Sequence, residues 1–173
     1  MSTCPVTQTF DQGLLEHYVK KILAAPVYDL AVRTPLQLAP ALSALLGNQV
    51  LLKREDLQPI FSFKLRGAYN RIRNIEERDR YRGVVAASAG NHAQGVALAA
   101  SRLGVEAKIV MPRTTPLIKV DAVRRLGGHA ILEGDGYDDA AAYAREIEAR
   151  EGSIFVHPYD DPDVIAGQGT VGM

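Results

Sequence analysis

Short apolar segments alternate with longer helical patterns over most of this chain, and that alternation is the strongest constraint on its fold. Apolar segments predict strands at 84–87 and 107–111. Helical spacing of apolar residues predicts helices at 92–103, 116–126 and 137–150. Strands separated by helices of about ten to fifteen residues need crossover connections. We therefore expect an α/β fold with a mainly parallel sheet and helices on both of its faces.

Further elements are expected on either side of this central run. Helices are predicted at 14–24, 40–46 and 64–75, and strands at 50–52, 130–132 and 154–156. The sequence Asp161-Pro162-Asp163 predicts the start of another helix, because proline is favoured in a first turn. That helix would stop after about two turns, so we expect the chain to be a truncated part of a longer protein. Residues 1–10 are expected to form a disordered leader.

Composition argues against several functional classes. Lys plus Arg and Asp plus Glu both number 20, so no net charge attracts nucleic acid or a membrane surface. The longest uninterrupted apolar run, 96–100, is far too short to span a bilayer. The single cysteine, Cys4, lies in a polar leader without a secretory signal and suits a reducing compartment. We expect a soluble, cytoplasmic protein that binds neither nucleic acid nor membrane.

Lys64 lies between Phe63 and Leu65 at the start of a predicted helix. The helix dipole and partial burial would both favour its neutral amine. An isolated lysine in this position more often only extends along an ordinary first turn. The neighbouring Arg66 and Gly67 are unusual for a plain amphipathic helix, since glycine costs about 1 kcal/mol of helix propensity. A neutral amine here could hold pyridoxal phosphate as a Schiff base.

The segment 88–92, Ser-Ala-Gly-Asn-His, directly follows the first predicted buried strand. Ligands of parallel sheets bind beyond the carboxyl ends of the strands. Gly90 would allow close backbone approach, Ser88 and Asn91 offer side-chain hydrogen bonds, and a helix start offers free N–H groups to an anion. Simple capping by Ser88 or Asn91 is the alternative, and it is compatible with anion binding. His92 taken alone is more often structural than catalytic.

Other patterns carry weaker signals. Two groups of acids could bind a hard cation, but both lie at predicted helix starts, where capping is the more common role; they are Asp135, Asp138 and Asp139, and Asp160, Asp161 and Asp163. His129 and His157 lack partners at metal-ligand spacing, so no metal is predicted. Residues 167–172 fit G-x-G-x-x-G, and a nucleotide-binding module remains an alternative, although the pattern follows a helix-like run.

Together these segments resemble the pyridoxal-phosphate enzymes of the tryptophan-synthase-β type (fold type II), and among them the biosynthetic threonine dehydratases, or threonine ammonia-lyases. The resemblance runs from about residue 25 to residue 173. It is carried by APVY (25–28), RTPL (33–36), KRED (53–56), QP (58–59), SFKLRGA (62–68), SAGNHAQG (88–95) and AGQGT (166–170). It implies the N-terminal part of a catalytic domain. Residues 11–50 would belong to a larger lobe, 51–158 would form a smaller lobe, and 159–173 would begin the return to the larger one.

The resemblance also implies roles for single residues. Lys64 would bind pyridoxal phosphate covalently and later remove the substrate's Cα proton. Phe63 would lie beside the cofactor ring, and Asn91 would hydrogen-bond its phenolic oxygen. The substrate carboxylate would be held by the loop Ser88, Ala89, Gly90, Asn91 and His92. Because related serine racemases carry a second serine where this chain has Ala89, elimination is expected rather than racemisation.

The implied reaction is an α,β-elimination that converts L-threonine to 2-oxobutanoate and ammonia, the first step of isoleucine biosynthesis. L-Serine would give pyruvate. A catabolic threonine or serine dehydratase and a serine racemase remain alternatives, and the parent enzyme is expected to be a homo-oligomer, either a dimer or a tetramer. The family's glycine-rich phosphate cradle is expected downstream of residue 173, so this chain alone is expected to have little or no activity.

Overall fold

The computed structural model describes residues 11–173, so the predicted leader and Cys4 lie outside the described part of the chain. The helices are α1 Gln12–Ala24, α2 Pro40–Leu46, α3 Lys64–Arg73, α4 Asn91–Arg102, α5 Leu117–Arg125, α6 Tyr137–Glu151 and α7 Pro162–Gly169. The strands are β1 Leu36–Leu38, β2 Leu51–Lys53, β3 Val84–Ala87, β4 Ala107–Met111, β5 His129–Leu132 and β6 Ile154–Phe155. Short 3₁₀ turns connect several of them.

Four strands form the parallel sheet that the alternation predicted. Their order is β5-β4-β3-β6, with Val84 of β3 opposite Ala107 on one side and Ile154 on the other. A separate antiparallel pair joins β1 to β2, with Leu36 opposite Lys53. Strand β1 was not predicted; it has three residues, and its partner strand follows α2 in the chain.

Helices cover both faces of the parallel sheet, as predicted. Successive side chains of a strand point to opposite faces. Ala86 and Ile109 therefore lie in one apolar cluster with residues of α3, α4 and α5, whereas Val85 and Val110 lie in a second cluster with α6. This arrangement leaves the carboxyl ends of β3 and β6 open to the loops that follow them.

Helices α3 and α7 cross at very short distance because each presents a glycine at the contact. A Cβ added to Gly167 would lie 2.5 Å from the carbonyl oxygen of Arg66, and a Cβ added to Gly67 would lie 2.8 Å from that of Val164. Helix α7 begins where it was predicted, with the Asp161 side chain accepting hydrogen bonds from the N–H groups of Asp163 and Val164. The crossing fixes the start of α3 against the segment that follows β6.

Helix α1 has the predicted position but not the burial that its amphipathic pattern suggested. Its apolar residues Leu14, Leu15, Val19 and Leu23 are exposed. The helix touches the rest of the described chain mainly through α7, where Ile22 packs against Gly169. None of the helices within residues 11–173 has the length and apolarity to cross a membrane.

Candidate active site

Lys64 is the first residue of α3, and its amine is held by the segment that follows β6. The Nζ atom donates a hydrogen bond of 2.6 Å to the carbonyl oxygen of Pro158, and it lies 5.6 Å from the centre of the Phe63 ring. Burial lowers the pKa of Lys64 below its ordinary value of 10.5. A partly buried amine that loses its proton more easily is what the flanking apolar residues predicted.

The chain turns sharply just before this lysine. Phe61 has a φ of 57°, which places an exposed aromatic residue in the left-handed region. The buried Ser62 then accepts a hydrogen bond from the backbone N–H of Lys64 (3.3 Å). This turn directs the first residue of α3 toward the carboxyl end of the sheet.

The segment 88–92 leaves β3 and opens α4 with free N–H groups. The Ser88 hydroxyl accepts a hydrogen bond from the N–H of Gly90 (3.2 Å), so it stabilises the loop and does not cap the helix. Gly90 is the N-cap residue, without a side-chain cap, and the first helical bond runs from Gln94 N to Gly90 O. The N–H groups of residues 91–93 therefore face outward, and the Asn91 side chain is exposed beside them. Capping by Ser88 or Asn91, the alternative left open by the sequence, is absent here.

His92 has a different environment from the other residues of this loop. It is only 4% exposed, and its Nε2 atom lies 3.0 Å from the carbonyl oxygen of Val156. Burial lowers the pKa of His92 to about 4, with a smaller contribution from the nearby positive charge of Lys64. The imidazole is therefore neutral near pH 7, and its side chain is engaged with the end of β6. Only the backbone N–H of His92 remains available to an anion.

The structure thus brings the two predicted segments together. Helices α3 and α4 pack closely, since a Cβ added to Gly95 would lie 3.2 Å from the carbonyl oxygen of Lys64. The side chains of Lys64 and His92 bind successive parts of one segment, residues 156–158. A basic amine and an anion-accepting helix start therefore lie at the same edge of the parallel sheet.

Behind this edge lies a buried polar network whose partners the sequence did not reveal. Arg66 is 0% exposed, and its Nε and Nη2 atoms each donate a 2.8 Å hydrogen bond to the carboxylate of Glu55. Arg66 Nη1 donates to the hydroxyl of Thr170 (3.1 Å), while Thr34 and Gln58 donate to Glu55. The unusual arginine two residues after Lys64 was the only sequence signal. The network joins residues of five motif segments, RTPL, KRED, QP, SFKLRGA and AGQGT.

The ionisation of Glu55 reflects this pairing. Burial alone would raise the pKa of Glu55, but the hydrogen bonds from Arg66, Thr34 and Gln58 outweigh it and hold the pKa below its ordinary value of 4.5. Glu55 is therefore a buried carboxylate with a charged partner. Its hydrogen-bond partners are Arg66, Thr34 and Gln58, so it stabilises the start of α3 through Arg66.

The weaker patterns of the sequence have structural roles. Asp139 accepts hydrogen bonds from the N–H groups of Asp135 and Gly136, Asp161 caps α7, and Asp163 pairs with Lys21, so one acid of each group acts as a helix cap. Within residues 11–173, no group of three His, Cys, Asp or Glu side chains is placed to hold a metal ion. Residues 167–169 lie inside α7, where Gly167 and Gly169 pack against α3 and α1. They do not form the strand-to-helix turn that a nucleotide phosphate needs.

A lysine of lowered pKa beside a free helix N-terminus, at the carboxyl edge of a parallel sheet, suits the class of enzymes that bind pyridoxal phosphate covalently. Over residues 27–173 the chain matches the family described as "Pyridoxal-phosphate dependent enzyme", and it belongs to that family.

Similar proteins narrow this class further. The chain is 58% identical to the tomato (Solanum lycopersicum) "Threonine dehydratase 1 biosynthetic, chloroplastic" over 156 residues, which is 90% of this chain and 26% of that protein. It is also 58% identical to a biosynthetic L-threonine dehydratase of Burkholderia multivorans over 159 residues, 90% of this chain and 31% of that protein. The chain therefore spans roughly a quarter to a third of these curated relatives.

Solved structures agree with the predicted fold. The processed form of threonine deaminase isoform 2 from tomato superposes with a TM-score of 0.91 at 54% identity, covering 94% of this chain and 45% of that one. Maize serine racemase superposes with a TM-score of 0.84 at 34% identity, covering 90% of this chain and 47% of that one. The α/β architecture of the fold type II pyridoxal-phosphate enzymes, present here in part, is thereby confirmed.

Proposed function

We propose that this chain is the N-terminal part of the catalytic domain of a biosynthetic threonine dehydratase. The reaction is the elimination of water from L-threonine, after which the released enamine becomes an imine and is hydrolysed by water to 2-oxobutanoate and ammonia; L-serine gives pyruvate in the same way. The observation that carries this proposal is the Lys64 amine, partly buried and with a lowered pKa, beside the free N-terminus of α4. The 58% identity to biosynthetic threonine dehydratases supports the assignment to the first step of isoleucine biosynthesis.

The residues of this site suit pyridoxal phosphate. Lys64 provides an amine that is neutral more readily than an ordinary lysine, as covalent attachment to an aldehyde requires. The Phe63 ring lies beside that amine, and the exposed Asn91 side chain is free to hydrogen-bond the cofactor's phenolic oxygen. When bound, the cofactor withdraws electrons from the substrate's Cα and so makes the Cα proton more acidic.

The protein's own groups carry out the remaining steps. The neutral Lys64 amine accepts the Cα proton, because its lone pair is available once the amine is uncharged. The outward N–H groups of residues 91–93 and the loop before them bind the substrate carboxylate, with the positive end of the helix dipole behind them. In the predicted loop, Ser88, Ala89, Gly90 and Asn91 would contact the substrate carboxylate. His92 would contribute only its backbone N–H.

The nature of residue 89 favours elimination over racemisation. Racemisation needs a second acid–base group on the opposite face of Cα. Ala89 has none, and its methyl group packs against the main apolar cluster of the sheet. The similarity to maize serine racemase concerns the fold and a third of the sequence, and it leaves this difference intact.

The whole enzyme is expected to have two lobes and to form an oligomer. We propose that residues 51–158, which contain the parallel sheet, form a smaller lobe, and that residues 11–50 and 159–173 belong to a larger one. The parent enzyme would be a cytoplasmic homo-oligomer, a dimer or a tetramer, acting on a small amino acid. The parallel sheet lies within residues 84–155 and supports the smaller lobe, whereas the antiparallel pair β1–β2 joins residues 36–38 to residues 51–53 and so crosses the boundary at residue 50.

Borohydride reduction in the presence of pyridoxal phosphate, followed by peptide mass mapping, tests the site. We expect one stoichiometric adduct on Lys64, its loss in Lys64→Met and its retention in Lys20→Met, a change at an exposed lysine of α1. Labelling spread over many lysines, or the same adduct yield in Lys64→Met, would contradict the proposal. Binding of NAD in place of pyridoxal phosphate would instead favour the nucleotide-binding alternative.

A further inference from the structure

The segment 156–158, between β6 and α7, receives a hydrogen bond from each of the two site motifs. Lys64 Nζ donates to the carbonyl oxygen of Pro158 (2.6 Å), and His92 Nε2 lies 3.0 Å from the carbonyl oxygen of Val156. The N–H of Val156 in turn donates to Val85 of β3 (2.8 Å). The segment is therefore attached to the sheet on one side and to α4 on the other.

The protonation of His92 follows from its partners. A ring nitrogen 3.0 Å from a carbonyl oxygen must carry the hydrogen, because a carbonyl only accepts. The ring is neutral near pH 7, so the other nitrogen, Nδ1, carries a lone pair, and no group within residues 11–173 donates to it. His92 therefore acts as a single, buried donor to Val156. Its side chain has no remaining N–H for a substrate carboxylate.

The carbonyl of Pro158 in turn determines how the Lys64 amine is oriented. A neutral amine has two N–H bonds and one lone pair, and donating one N–H to a fixed acceptor directs the lone pair elsewhere. The proline ring restricts the backbone at this position, and Gln168 Nε2 lies 3.4 Å from the same carbonyl oxygen. The Lys64 amine is thus oriented by the Pro158 carbonyl, whose own position is restricted by the proline ring and by Gln168.

We propose that His92 is a positioning residue for the Lys64 amine, acting through Val156 and the carbonyl of Pro158. The inference rests on the proposed function, in which Lys64 is the cofactor lysine, and it assigns the His92 side chain a task separate from substrate binding. Without the His92 hydrogen bond, the segment 156–158 loses its tie to α4. The amine then moves toward water, and the burial that favours its neutral form is reduced.

Reductive methylation with formaldehyde and cyanoborohydride tests this on the cofactor-free full chain. Peptide mass mapping gives the rate at Lys64 as a function of pH, and the midpoint of that profile reports the amine's pKa. We expect His92→Phe to move the midpoint upward by about half to one unit, which is about a three- to tenfold loss of free base at fixed pH. His92→Gln, whose amide can still donate to Val156, should keep the original midpoint. His129→Phe, the same change on exposed β5, is the control.

One further variant tests whether the hydrogen bond to Val156 itself is required. His92→Asn places its amide nitrogen at the Nδ1 position, too short to reach Val156, so it should behave like His92→Phe and replaces that variant if the latter does not fold. An unchanged midpoint in His92→Asn, or an equal shift in His92→Gln and His92→Asn, would overturn the proposal. Methylation needs no cofactor, so failure of pyridoxal phosphate to label Lys64 would count against the proposed function alone.

Discussion

Replacing Arg66 with methionine should destabilise the buried polar network around Glu55, behind the Lys64 site. The change keeps the approximate length of the side chain but leaves Glu55, which is 8% exposed, without its charged partner. Two 2.8 Å hydrogen bonds to the carboxylate and one to Thr170 would be lost. Removing one partner of a buried ion pair costs about 3–5 kcal/mol in the free energy of unfolding. Such a loss is a large part of the roughly 5–15 kcal/mol that stabilises a typical domain.

Urea unfolding monitored by circular dichroism gives the difference in unfolding free energy. The double variant Glu55→Met/Arg66→Met is the matched comparison, because an apolar pair in place of a buried ion pair is often neutral or stabilising by about 1–4 kcal/mol. Arg78→Met removes an exposed partner of Glu76 and should cost at most about 1 kcal/mol. A loss in Arg66→Met no larger than in Arg78→Met would refute the reasoning.

The pH dependence of stability gives the same prediction a second test. In the wild type, the folded-state pKa of Glu55 is lowered, so its contribution is fully present above pH 4.5 and is lost as the pH falls through the lowered value. In Arg66→Met, Thr34 and Gln58 still donate to the carboxylate but its charged partner is gone, so the folded-state pKa of Glu55 should rise above its wild-type value and its stabilising contribution in the acid range should shrink. An unchanged slope in the acid range would mean that Arg66 does not hold the carboxylate.

Three further predictions concern single side chains. Lys64→Met should raise the unfolding free energy at neutral pH, and the gain over wild type should shrink as the pH rises from the lowered folded-state pKa of Lys64 to 10.5, which pH-dependent urea curves would show. Gly167→Ala should lower thermal stability by about 1–3 kcal/mol through overpacking against α3, whereas Gly172→Ala, with open space around its Cβ, should not. For residue 89, chiral chromatography of products from the complete enzyme should find no appreciable D-amino acid, with Ala89→Ser as the variant in which racemisation could appear.

Most helices and strands could be predicted because their signals are local. The strand bounds 84–87 and 107–111 and the helix bounds 40–46 agree with the structure, since apolar runs, proline and glycine mark those limits within a few residues. The pair β1–β2 could not be predicted, because three residues carry no readable alternation and the partner strand lies beyond α2. Predicted helix ends elsewhere differ by one or two residues, where termini depend on tertiary packing.

The same distinction applies to the candidate site. Some of its residues lie in local sequence motifs, and others are identified only by contacts between residues far apart in the sequence. Lys64 and the segment 88–92 could be proposed as site residues from the sequence because each motif is contiguous, and the function of such a motif depends on residues next to each other. Their supports were not found, because Lys64 and Pro158 lie 94 residues apart, and His92 and Val156 lie 64 apart. A sequence can show that an amine is unusual, but not which carbonyl orients it.

The glycines of α3 and α7 show how a local sequence pattern can mislead when its cause is a distant contact. Residues 167–172 fit a phosphate-binding pattern, yet Gly167 is required because a Cβ would collide with the backbone of α3. Gly67, which weakens α3 as an isolated helix, is required by the same crossing from the other side. The local cost in helix propensity and the apparent nucleotide motif therefore have one cause, the close approach of α3 to α7. That approach brings Thr170 to Arg66 and the carbonyl of Pro158 to Lys64, so the packing of two glycines determines where the amine lies.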